Sequence, residues 1–306
     1  MALPYRWQWR VERWKNSLRG FFGGRETQPR PKICPSCGAL VGINASRCHE
    51  CGTNLRFSLA AVSKGLSGVF GGHAPVTTIL LIANLAMFGV EFMAMAAAGK
   101  AGGLAILWGM DGAALYRLGA NFGPAIFILH QWWRLVTACF LHGGLIHIGF
   151  NLMVLMDFGP PLEELYGSAR YFFFYMVCGV CGYLLSALLN NSISIGASGA
   201  ILGLVGLLLA VTSKRGGSYM RQLRSRLITW VIIIFAVGFM GIMAIDNYAH
   251  LGGFAAGFVL GKISADHEPH TPAEKRLAQF LCLLAVVVTV ASFALMFLHY
   301  RDPLPL

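Results

Sequence analysis

Apolar runs separated by short polar connections dominate the chain from residue 76 onward. They lie near 76–98, 145–159 with its flanks, 168–189, 196–213, 227–245, 247–264 and 276–299. About 20 helical residues cross a hydrocarbon core of roughly 30 Å, so the pattern predicts seven transmembrane spans, the second and fourth short. With 56% hydrophobic and only 12% charged residues, and a mean hydropathy of +0.63, the composition excludes a soluble domain. An all-α polytopic membrane protein is expected. The first thirty residues are basic and Trp-rich, with no apolar core of leader length, so the first span is expected to act as the insertion signal.

Basic residues set the orientation. They crowd the N-terminal segment, the connection after the fourth span (Lys214, Arg215, Arg221, Arg224, Arg226) and the stretch around Lys262, Lys275 and Arg276. These regions are expected in the cytoplasm and the sparsely charged opposite connections outside, which places the N-terminus inside. This topology, together with anionic lipid, accounts for the net charge of +11. No nucleic acid partner is expected.

Spans two, four and six then all begin at the outer face. Their opening residues share one depth: His142, His147 and Asn151 for span two, Ser198 for span four and His250 for span six. His147 and Asn151 are four apart and so lie on one helix face. Polar groups at membrane depth are costly unless paired, and a hydroxyl with an imidazole is the pairing of a nucleophile with its base. Gly199, Gly203 and Gly206 on span four, and Gly253, Gly257 and Gly261 on span six, form small-residue stripes that let two backbones approach closely. The same stripes also serve ordinary helix packing. Ser198 opens its helix, so its backbone N–H is free to meet an oxyanion. Asp246, four before His250, is read as a helix-start cap rather than a third catalytic member. The polar run Asn190 to Ser194 is expected to hold a wet pocket.

Residues from roughly 101 to 265 resemble the rhomboid intramembrane serine proteases. The resemblance rests on His142-x4-His147-x3-Asn151, on Gly196-Ala-Ser198-Gly199 and on Ala249-His250-Leu-Gly-Gly253, in that order. It implies a six-helix core, acyl transfer by a Ser198–His250 dyad, oxyanion donors from His147 and Asn151, and support from His142, Gly196 and Gly199. It further implies cleavage of transmembrane protein substrates near the outer face. Trp133-Arg134 and Glu163, four residues before Gly167, resemble elements that would brace the long outer loop. Relatives carry Phe or Tyr four residues past the serine where this chain has Leu202, so apolar packing on the catalytic ring is kept and stacking is lost. The seventh span is an addition beyond the core. Glu91, near the outer end of the first span, is expected to reach the interface and is assigned no role.

A second signal precedes the spans: Cys34-Pro-Ser-Cys37, ten residues, then Cys48-His-Glu-Cys51. Four thiolates in two such knuckles close a tetrahedral structural zinc site, and a reducing cytoplasm disfavours disulfides there. His49 is not needed as a ligand. Trp7, Val11, Trp14, Leu18 and Phe21 recur at helical spacing among basic residues, as in an interfacial helix or a partner-binding one. Cys139, Cys178, Cys181 and Cys282 read as packing residues.

The organisation expected is a basic amphipathic segment and linker over 1–30, a zinc-ribbon-like module over 31–56, a protease core over 72–265 and an additional helix over 276–299. No cofactor is expected for catalysis. The expected setting is a bacterial cytoplasmic membrane, with the bilayer, membrane-protein substrates and a cytoplasmic partner of the zinc module as contacts. Two other readings stay open: a catalytically silent relative that binds membrane clients, and a zinc-module adaptor tethered by its membrane domain.

Overall fold

The computed structural model describes residues 32–33, 40–42, 45, 47–50, 74–100, 107, 109–241 and 245–302. The chain divides into two compact units, Met1–Gly65 and Leu66–Leu306. In the first, β1 (Lys32–Ile33) and β2 (Leu40–Val41) pair antiparallel, with Ile33 opposite Leu40. Val41 and Cys48 are buried, with Ala45 packed against them. The amphipathic segment and Cys34, Cys37 and Cys51 lie outside the described residues.

The second unit is helical. Its helices are α1 (Pro75–Ala97), three short ones, α2 (Gly112–Arg117), α3 (Gly123–Phe127) and α4 (Arg134–Thr137), then α5 (Leu145–Tyr166), α6 (Ser168–Leu189), α7 (Ser198–Lys214), α8 (Ser218–Phe239), α9 (Asn247–Ile263) and α10 (Pro272–Leu298). Five of them, α1, α5, α6, α8 and α10, are long and apolar enough to cross a membrane. The shorter α7 and α9, each of 17 residues, lie where the fourth and sixth spans were expected. This is an integral membrane protein with a six-helix core and one added helix.

Packing follows residue size. Four tyrosines, Tyr166, Tyr171, Tyr175 and Tyr183, are among the largest fully buried side chains, and three of them lie on α6 at the middle of the bundle. Against α6 pack α7 and α9, whose mutual contact is the most extensive in the unit. A Cβ added at Gly253 or Gly257 would be driven into the carbonyl oxygen of Gly199 or Gly203, and at Gly261 it would sit 2.7 Å from the Ala210 methyl. The glycine stripes therefore face each other across a backbone-to-backbone contact. Outside this centre, α8 keeps only Leu227 fully buried, and α10 lies against α6 and α4.

Two helix boundaries differ from the sequence reading. The second span does not end at 159: α5 continues through Pro160-Pro161 to Tyr166. Its last turns are fixed by Glu163, whose carboxylate accepts from Val76 N (2.9 Å), Thr77 N (2.8 Å), Thr77 Oγ1 (2.8 Å) and Ser168 Oγ (2.6 Å). Membrane helices tolerate proline where neighbours restore the lost bonding. The fifth span begins at Ser218 rather than 227, so Arg221, Arg224 and Arg226 belong to a helix and not to a connection, with Arg224 donating to the Thr212 carbonyl.

Glu163 also corrects an assignment. It sits at the end of α5 away from His147, where it satisfies the first N–H groups of α1, and does not brace the outer loop. A buried carboxylate with four donors is a strong fixture, because removing it strands those donors. Glu163→Ala is expected to lower stability by about 3 kcal/mol, read from denaturant unfolding of the detergent-solubilised protein.

Candidate active site

The segment that joins α6 to α7 is held on both sides before it reaches Ser198. Asn121 and Ser194 exchange backbone hydrogen bonds of 2.9 Å in each direction, pinning the outer connection to this segment. Gly196 N donates to Ala138 O at 3.0 Å, and the Tyr183 hydroxyl donates to Gly196 O at 2.6 Å. Gly196 has φ +126°, in the region that favours glycine, and a Cβ there would lie 2.7 Å from His147 Nε2. The turn can therefore be made only without a side chain, and it delivers Ser198 to the first position of α7.

His250 arrives from α9. Asp246 caps that helix, accepting from Tyr248 N and Ala249 N at 3.0 Å each, and its backbone carbonyl accepts from His250 N. The carboxylate also accepts from Ser186 Oγ and, at 3.4 Å, from Asn190 Nδ2, while Asn121 Nδ2 donates to Ser186 Oγ at 3.1 Å. The cap is thus tied to α6 and to the outer connection. With both helix starts fixed, His250 Nε2 lies 2.8 Å from Ser198 Oγ, across a sequence separation of 52. That is hydrogen-bond reach for a base on a hydroxyl. Asp246 remains a cap: its carboxylate bonds backbone groups, Ser186 and Asn190, and His250 Nδ1 has no partner among the described residues.

The other predicted residues separate. His147, half-buried, borders the turn: Gly143 N donates to its Nδ1 at 3.2 Å, and its other nitrogen flanks the same Gly196 that Ser198 Oγ flanks. Asn151 is buried and donates from its amide to the His147 carbonyl, 3.0 Å away on its own helix. His142 is fully buried, with its ring edge-on to His147 at 5.2 Å between centroids. Gly199 carries the contact with α9: a Cβ there would stand 3.3 Å from the Ala249 carbonyl oxygen.

Sequence reasoning missed three features. Glu91 does not reach the interface: it is 1% exposed and accepts the His142 N–H on both oxygens, at 3.0 and 3.2 Å. Its only sequence signal was a carboxylate inside an apolar span. Phe235 of α8 meets the His250 ring edge-on at 6.3 Å, so an aromatic neighbour is supplied by another helix while Leu202 stays buried in the core. In the run Asn190 to Ser194, Asn190 and Ser194 are engaged as braces, a role its polarity alone did not indicate.

Arg134 does hold the outer connection. Its guanidinium donates to the Tyr116 and Ala120 carbonyls at 2.7 and 3.1 Å and to Gln131, and stacks between the Tyr116 and Trp133 rings. Burial draws its pKa down to about 10, which leaves it charged at neutral pH. Trp133 in turn meets the His299 ring at the end of α10, 5.9 Å between centroids.

Residues 129–266 match the rhomboid domain family model. RHOMBOID-like protein 7 of Arabidopsis thaliana is 32% identical over 203 residues, 61% of this chain and 65% of that protein. Rhomboid protease GluP of Bacillus subtilis (strain 168) is 35% identical over 166 residues, 54% of this chain and 32% of that protein. Rhomboid-type serine protease 2 of Emericella nidulans is 35% identical over 137 residues, 43% and 26% respectively. The aligned stretch spans between about a quarter and two thirds of the length of these relatives. Together the matches support the rhomboid family.

Proposed function

We propose that this chain is an intramembrane serine endopeptidase of the rhomboid type, on the family footing that the comparisons support. The single observation that carries the reading is the 2.8 Å approach of His250 Nε2 to Ser198 Oγ at the start of two apposed membrane helices. Ser198 attacks a substrate carbonyl carbon as His250 takes the hydroxyl proton. The tetrahedral oxyanion is met by the backbone N–H of Ser198, which precedes the first intrahelical donor of α7. His147 lies at the mouth of that turn, and Asn151 gives one amide N–H to the His147 carbonyl with a second to offer. Collapse returns the proton to the leaving amine and leaves an acyl-serine, which water hydrolyses with His250 again as base. The substrate is a transmembrane helix opened locally, because a helical peptide carbonyl is already bonded along its own axis.

The alternative, a silent client-binding relative, retains no reason for this pairing. Labelling with a fluorophosphonate probe separates the two. The protease reading expects adduct at Ser198 by peptide mapping and its loss in His250→Ala, whereas absence of adduct from the folded wild type favours client binding.

For the N-terminal module we propose a structural zinc held by Cys34, Cys37, Cys48 and Cys51. Support comes from the four-thiolate spacing and from the burial of Cys48 beside Val41. A Cys34→Ser, Cys37→Ser protein that keeps its full zinc content would contradict this. The proposed location is a bacterial cytoplasmic membrane with the N-terminus inside, a reading supported by the clusters of basic residues.

A further inference from the structure

At the end of the bundle opposite Ser198, the connection from α9 to α10 gathers three side chains with ligand atoms. His267, His270 and Glu274 each offer one such atom within 4.8 Å of the others. The two imidazole rings stand 4.4 Å apart between centroids. Nδ1 of His267 and Nδ1 of His270 approach a single point, the Glu268 carbonyl oxygen, at 2.9 and 3.1 Å. His270 Nδ1 lies 3.9 Å from Glu274 Oε2. Ligands held at about 2.0–2.1 Å on a tetrahedral ion stand about 3.4 Å apart, so the 3.9 Å between His270 Nδ1 and Glu274 Oε2 has to close by about 0.5 Å.

The backbone beneath these side chains is fixed from outside the cluster. Arg170 of α6 donates to the carbonyls of Ala265 and His267. Lys214 donates to Ser264 O, and Arg215 pairs with the Asp266 carboxylate at 2.8 Å while donating to its carbonyl. On the other side, Thr271 and Glu274 form a reciprocal capping box that sets the start of α10. A connection anchored by three cations and a helix cap holds in place the backbone that carries the imidazoles, which is part of the preorganisation a metal site needs.

We propose that His267, His270 and Glu274 form a binding site for a divalent transition metal such as zinc. The donor set is two imidazoles and a carboxylate, with open positions for water at an exposed surface. A metal bound there clamps the first turn of α10 to the α9–α10 connection, and through Arg170 and Arg215 to α6 and α7. It would fasten the added seventh helix to the six-helix core at the end remote from the Ser198–His250 pair. The site is independent of the proteolytic reading and of the four-cysteine module.

Equilibrium dialysis of the full-length protein in lipid nanodiscs against zinc chloride tests this, with bound zinc counted per protein. Wild type is expected to hold one equivalent more than the His267→Ala, His270→Ala double variant at equal free zinc. Glu274→Gln, which keeps an oxygen for the helix cap, is expected to weaken that equivalent at least about tenfold. Thr271→Ala removes the cap hydroxyl but no ligand, and should bind more tightly than either ligand variant. Cobalt in place of zinc is expected to give a wild-type-minus-variant spectrum without thiolate charge-transfer bands, which assigns the lost ion to nitrogen and oxygen ligands. Equal zinc in wild type and the double variant would overturn the proposal. So would a loss in Thr271→Ala matching the loss in the ligand variants.

Discussion

Replacing His250 with alanine is expected to reduce turnover on the order of 10⁴-fold or more while the protein stays folded. The size of the effect follows from the chemistry. A serine hydroxyl is a weak nucleophile until its proton is accepted, and Ser198 Oγ has His250 Nε2 at 2.8 Å. Asp246 cannot take over, because its oxygens are occupied by helix-cap and Ser186 contacts. What remains is binding and oxyanion stabilisation alone. Stability should change little, because the contacts that join α7 to α9 are the glycine stripes and not the imidazole. Turnover of a transmembrane substrate measured beside a thermal unfolding curve checks both halves. Loss of activity accompanied by unfolding would assign His250 a packing role instead.

Gly257→Val is expected to disturb the fold as much as Glu163→Ala does, and the site as well. The added side chain would be driven into the Gly203 carbonyl, and a backbone atom between two buried helices has no route by which to yield. Overpacking of a core site costs about 1–3 kcal/mol and more where relaxation is blocked, so a loss of about 3 kcal/mol is expected from denaturant unfolding. Activity should fall further than stability alone explains. Spreading α7 from α9 separates Ser198 from His250, and a shift of about 1 Å can cost on the order of 10² in rate. Gly149→Ala supplies the contrast, since that exposed position has nothing within 4 Å of an added Cβ. It is expected to match wild type in both measurements.

Much of the site was legible because it depends on depth rather than on tertiary detail. Apolar runs predicted the spans, parity aligned the expected starts of the second, fourth and sixth, and Ser198 and His250, which the structure brings within 2.8 Å, stand at two of those starts. The glycine spacing named the helix pair that closes most tightly. What stayed hidden required partners far away in sequence. Glu91 meets the His142 backbone 51 positions on, and Glu163 meets Thr77 across 86. Nothing local to either glutamate reveals such a donor. Phe235 reaches His250 from a helix whose own pattern is only that of a lipid-facing span. Two prolines, Pro160 and Pro161, lie inside α5, and the partners of Glu163 that hold its last turns are as distant in sequence.

The central claim, that Ser198 and His250 act together on peptide bonds within a membrane, is tested most directly by cleavage of a transmembrane substrate co-reconstituted in liposomes. Wild type should cut near one end of the substrate helix, and Ser198→Ala and His250→Ala should each leave it whole while remaining folded. Undiminished cleavage by either variant, or none by folded wild type across several substrates, would contradict the account.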